Sequence, residues 1–84
     1  MPYIKYQRRE ELWDEMGYHV PTTSGELNYM FSQLCRNYID TQGLNYQNIN
    51  DIVGALEGAK QEFYRRVVVP HENKKILENG DIYE

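Results

Sequence analysis

Residues 45–68 read NYQNINDIVGALEGAKQEFYRRVV, and this stretch decides the fold. Ile49, Ile52, Val53, Leu56, Ala59, Phe63 and Val67 recur at three- and four-residue steps. That spacing lines apolar side chains along one face of an α-helix. Asn45 supplies an N-cap oxygen just ahead of the pattern. The spacing predicts a helix from Tyr46 to about Val68, roughly 35 Å long at 1.5 Å per residue. Pro70 then stops or kinks it, because proline has no N–H to donate and pushes the residue before it out of the α region. Three consecutive valines, Val67 to Val69, weaken the final turn.

Working upstream, Thr23 followed by Glu26 fits a capping box, so another helix opens near Ser24. Its stripe is Leu27, Met30, Phe31, Leu34, Tyr38 and Ile39. Gly43 closes it in the αL conformation, with Leu44 folding back on Ile39. Leu44 also sits five residues before Ile49, the spacing of a hydrophobic staple for the next helix. A turn this short implies an antiparallel helical hairpin. Further upstream, Gln7 to Met16 favours helix with Leu12, Trp13 and Met16 on one side. Gly17 ends it and Tyr18 returns to Trp13. Tyr3-Ile4-Lys5-Tyr6 alternates and reads as a short strand or an extended arm. Downstream of Pro70 two readings stand. Pro70 opens a short helix through Glu78, stopped by Asn79-Gly80, or Asn79-Gly80 is the turn of a small hairpin. Glu72, Lys74 and Lys75 favour the helix. The expected fold is mainly α: one domain over residues 1–84, with a hairpin of two long helices, a short N-terminal helix, and a C-terminal helix or hairpin.

The chain has 84 residues. A chain of that size buries only about 60–65% of its unfolded surface, which leaves a thin stability margin. Cys35 is the lone cysteine, so no disulfide forms within the chain. His19 and His71 stand far apart without ligand spacing, so no metal or other cofactor is expected. Packing and self-association remain as sources of stability. A lone cysteine and the lack of a secretory leader suggest the reducing cytoplasm, that of a bacterial host if the chain is phage-encoded. No apolar run is long enough to span a membrane. Tyrosine occurs eight times and phenylalanine twice. Tyrosine suits interfaces and pockets, and equally the edge of a small core.

The net charge of −4 is unevenly spread. Lys5, Arg8 and Arg9 open the chain with no acid among them. From Glu10 to Glu57 eight acids face Arg36 alone. Lys60, Arg65, Arg66, Lys74 and Lys75 then outnumber Glu62 and Glu72, before an acidic end. An acidic whole argues against long nucleic acid, which needs a broad basic face. Two basic clusters can still converge on a small anion. Lys60, Tyr64, Arg65 and Arg66 are the candidate ligand residues, with His71 and Lys74 following and Tyr3 and Lys5 from the N-terminal arm. Arginine offers paired donors to phosphate and tyrosine stacks on a base. Arginines near a helix C-terminus also favour the helix dipole without any ligand. Gly54, Ala55, Gly58 and Ala59 form a strip of small residues. Two glycines inside a helix cost about 2 kcal/mol, which close approach of another helix would offset, so the strip is the candidate interface between copies. Cys35 beside the apolar stripe reads as a buried structural thiol, and Glu10, Glu11, Asp14 and Glu15 read as a solvated face. No catalytic constellation is present, so no enzyme activity is expected.

Several segments together resemble a short, widespread family of uncharacterised proteins of bacteria and their phages. They are Gly25-Glu26-Leu27-Asn28-Tyr29, the run from Gly43 through Glu57, Phe63-Tyr64-Arg65-Arg66-Val67-Val68, and Asn79-Gly80-Asp81-Ile82-Tyr83. The family brings no assigned residues. It implies a context in which small helical oligomers sequester nucleotide-like signals as counter-defence proteins. The expected function is therefore a homo-oligomer that binds or sequesters a small anionic, nucleotide-like ligand. The alternative is an adaptor or inhibitor that docks a protein partner through its tyrosine-rich helical surface.

Overall fold

The computed structural model describes residues 4–17 and 19–83. The chain divides into two units, Met1–Gly43 and Leu44–Glu84. The first holds α1 (Tyr6–Met16) and α2 (Ser24–Gln42). The second holds α3 (Tyr46–Phe63), a π-helical turn (Tyr64–Val68) and α4 (Val69–Asn79), which follow one another without a break. No strand occurs among the described residues. The expected all-helical class is therefore what the chain adopts, and its tail is the helix, not the hairpin. Tyr3, in the alternating N-terminal stretch, and Tyr18, expected against Trp13, lie outside the described residues.

Caps set the helix starts. The Thr23 hydroxyl accepts the Glu26 N–H at 3.1 Å. The Glu26 carboxylate reaches past the cap residue and accepts the Thr22 N–H at 3.0 Å and the Thr22 hydroxyl at 3.2 Å. The capping box is thus offset by one residue from its expected form. Asn45 Oδ1 accepts the Asn48 N–H at 2.9 Å and opens α3. α1 starts at Lys5 without a side-chain cap. Its Arg8 instead spans Glu11 at 3.0 Å and Glu15 at 3.4 Å, which hold the guanidinium pKa above its ordinary value. α2 and α4 end on Gly43 and Gly80, whose N–H groups donate to Ile39 and Ile76, both at 2.8 Å. Gly43 has φ 106° and ψ 152°, and Gly80 has φ 87° and ψ 166°. Neither is αL as expected at Gly43. Both sit in an extended region at positive φ that only glycine occupies comfortably. The extended ψ carries the chain from Gly43 to the Asn45 cap in two residues.

Pro70 neither ends the helix nor interrupts it. The helix widens one turn earlier, and the Val69 N–H donates to the Tyr64 carbonyl, five residues back. Proline's ring would meet the carbonyl four residues before it, that of Arg66, in a regular α-helix. A wide turn opens that crowded position and lets Pro70 occupy the first turn of α4. One residue is thereby added to one turn. Every side chain beyond it is set back by about 100° relative to an unbroken helix.

Among the described residues none is buried. Leu12, Met30, Ile39, Ile52 and Val68 are half-buried. Trp13 is 58% exposed, Leu34 59% and Phe63 60%. Leu44, expected to close both ends of its turn, is 76% exposed. Cys35, expected to be buried, is half-buried. Neither unit therefore makes a hydrophobic core out of its own helices.

Two outcomes check these elements. Hydrogen bonds from Thr22 hold the Glu26 carboxyl below its ordinary pKa, with a smaller contribution from His19. A carboxyl depressed in the folded state adds stability above the unfolded glutamate pKa of about 4.3, and this is lost as pH falls through the lower folded value. Acid titration followed by NMR at Glu26 should show that low pKa together with fraying of the α2 start. Glu26→Gln should abolish the coupled step. Second, Pro70→Ala restores a donor and removes the ring, so the π turn should revert to α. Amide hydrogen exchange would then show residue 70 protected and altered bonding at Val69. A π turn that persists in this variant would place its cause in the three crowded valines.

Candidate functional site

The basic residues of the second unit lie along one continuous helical run, but they do not share a face. Lys60 and Tyr64 stand one turn apart. In an unbroken α-helix His71 and Lys74 would lie within about 20° and 40° of Lys60. The wide turn moves them to about 80° and 140° away. Arg65 and Arg66 sit in the turn itself. The side chains expected to converge are therefore distributed around the helix, with the π turn as their midpoint. Lys5 precedes α1 in the first unit, and Tyr3 lies outside the described residues.

Much of this positive charge already faces carboxylates. Lys60 Nζ is 3.6 Å from Glu57, and Arg65 Nη2 is 2.8 Å from Glu62. The Gln61 side-chain amide donates to Glu57 at 3.1 Å. That bond first, and then the charge of Lys60, holds the Glu57 carboxyl below its ordinary pKa. Lys75 reaches Glu78 at 3.2 Å. An anion approaching Lys60 or Arg65 meets the charge of Glu57 or Glu62, although both basic side chains keep further donors open to solvent. Solvent-exposed ion pairs are weak and screened by salt, so this competition is modest.

The small-residue strip faces open space. A Cβ added at Gly54 or Gly58 would meet nothing within 4 Å. Each glycine is two residues from Leu56 and so about 160° round the helix from it. Its neighbours on that side are the hydrogen-bonded pairs Gln47–Asp51 at 2.9 Å and Gln61–Glu57. Ala59, by contrast, borders the apolar stripe. Gly54 and Gly58 thus lie on a polar side of α3, Ala55 lies between the two, and any packing there is rimmed by amides and carboxylates.

Two features escaped the sequence reading. One is the π turn, whose only trace is the Val67–Val69 run before Pro70. The other is a shallow depression along α4, lined by His71, Glu72, Lys75, Ile76, Asn79 and Gly80. It takes His71 but not Lys60, Tyr64, Arg65 or Arg66. Among the described residues no three His, Cys, Asp or Glu side chains gather as a metal site. No described helix is long and apolar enough to cross a membrane.

No curated protein and no solved structure matches the chain. The family described as Domain of unknown function (DUF6899) matches residues 1–82. With nearly its whole length covered by that match, the chain belongs to the DUF6899 family.

Proposed function

We propose that this protein is a non-enzymatic binding protein that works as a homo-oligomer. The observation that carries the proposal is the lack of any buried residue in helices that bear long apolar stripes. Amphipathic helices of this length owe most of their stability to covering that face. A second copy supplies cover for these faces in this reading. Ala59 and the rim of the stripe serve the contact between copies, with Gly54, Ala55 and Gly58 on its polar flank.

Its ligand is a small anion, nucleotide-like in carrying phosphate beside a stackable ring. Tyr64, Arg65 and Arg66 follow one another in the π turn and are the core of the site. Lys60 lies one turn before them, and His71 and Lys74 one or two turns after. π turns are frequent at functional sites, which favours this segment over the basic N-terminus. Lys5 and Tyr3 are outlying candidates. Sequestering a nucleotide-like signal in the cytoplasm of a bacterial host is the role that fits such an assembly. A tyrosine-rich surface docking a protein partner is the second reading, favoured by the exposure of Tyr64 and of the apolar stripes.

Calorimetry with cyclic dinucleotides, ADP-ribose derivatives and inorganic phosphate separates the two. The wild-type protein is expected to bind at least one of the nucleotides. Replacing Arg65 and Arg66 together with alanine should weaken that binding on the order of a hundredfold or more. This follows from charge-assisted bonds worth roughly 1.5 kcal/mol or more each, with about 1.4 kcal/mol per tenfold. Equal binding by both proteins would move the site elsewhere. No binding to any of these anions would favour the protein partner.

A further inference from the structure

α4 ends on Asn79-Gly80, and Asn79 is the one asparagine of the chain that precedes a glycine. The others precede tyrosine, isoleucine, aspartate or lysine. An asparagine holds its side-chain carbonyl carbon within reach of the next backbone nitrogen, close enough to form a five-membered ring. A side chain on the next residue crowds that approach, and glycine has none. Asn79 is also exposed to water.

The folded chain holds this ring closure back in two ways. Asn79 is the last residue of α4, and α-helical backbone turns the following nitrogen away from the side-chain carbon. The Gly80 N–H also donates to the Ile76 carbonyl at 2.8 Å, closing the helix. That nitrogen must give up its proton before it attacks, so the closing bond has to open first. Little fastens it. Leu77 is 88% exposed, Ile82 88% and Tyr83 91%, and an end with so few apolar contacts opens readily.

We propose that Asn79 is a self-modification site, deamidated spontaneously at a rate set by the fraying of α4. Hydroxide removes the Gly80 amide proton, and the nitrogen then bonds to Asn79 Cγ. The side-chain nitrogen takes a proton from water and leaves as ammonia. Water opens the resulting succinimide at either carbonyl, giving aspartate or isoaspartate, with nothing oxidised or reduced. Either product sets a new carboxylate at the C-terminal end of the helix, where the dipole is already negative. Lys75, one turn back, is engaged with Glu78 at 3.2 Å. Isoaspartate further adds a methylene to the main chain, which shifts the Gly80 N–H from the Ile76 carbonyl. Each conversion therefore loosens the end of α4. The proposal depends on neither the homo-oligomer nor the anionic ligand.

Peptide mapping by mass spectrometry tests it on the full chain. One sample is kept folded in warm, mildly alkaline buffer, and a second is kept unfolded in urea at the same pH. Cleavage after lysine and arginine puts Asn73 and Asn79 on separate peptides. Aspartate and isoaspartate should accumulate at Asn79 and not at Asn73, which lies inside the same helix. The folded chain should convert more slowly than the unfolded one by at least the hydrogen-exchange protection of the Gly80 amide. An Asn79 that stays intact in the folded sample while it converts in urea would overturn the proposal. Conversion at equal rates would show that the helix end exerts no control and would overturn it as well. Asn79→Asp stands in for one product and should speed exchange at the Gly80 amide about two- to fivefold. Unchanged exchange in that variant would overturn the loosening.

Discussion

A helix in water gains little from its own hydrogen bonds, because each replaces one already made to solvent. What keeps an amphipathic helix of ordinary composition folded is the removal of its apolar face from water. Here Leu27, Phe31 and Leu34 on α2 and Val53, Leu56 and Phe63 on α3 are all substantially exposed within their own units. Fully burying a side chain of this size contributes about 1.5–3 kcal/mol. Those six side chains together outweigh the Thr23 and Asn45 caps, at about 1 kcal/mol each, and the weak exposed ion pairs. The caps decide where the helices begin. Cover for the stripes decides whether they persist.

Pro70 shapes the only irregular turn in the longest helix. It withholds a donor from the carbonyls of the preceding turn, and its ring needs room beside Arg66. The π turn provides the room and costs the run its single register. The consequence is a change of facing along the run. Val69 and Ile76 come round toward the stripe of α3, while His71 and Lys74 turn away from Lys60 and Tyr64. A proline that simply ended the helix would have left α4 free to point anywhere. Accommodated in this way, it leaves Val69 and Ile76 about 120° and 100° round from Leu56 and turns Leu77 to about 160°, so the apolar face shifts sideways at the start of α4.

Local chemistry was legible in the sequence. The Thr23 and Asn45 caps, the closing glycines Gly43 and Gly80, and the helical tail after Pro70 all follow from short-range rules that need only neighbouring residues. Less legible were features in which neighbours compete. Glu26 prefers the Thr22 amide and hydroxyl together over the amide of its own cap residue. The Val67–Val69 run and Pro70 each suggest an ending, yet combined they produce a widened turn. The candidate site suffered most from this. Its residues were grouped by nearness in sequence, and a single inserted residue redistributes them around the helix axis. The placement of Gly54 and Gly58 was legible in principle, because counting 100° per residue from Leu56 already sets them on the polar side.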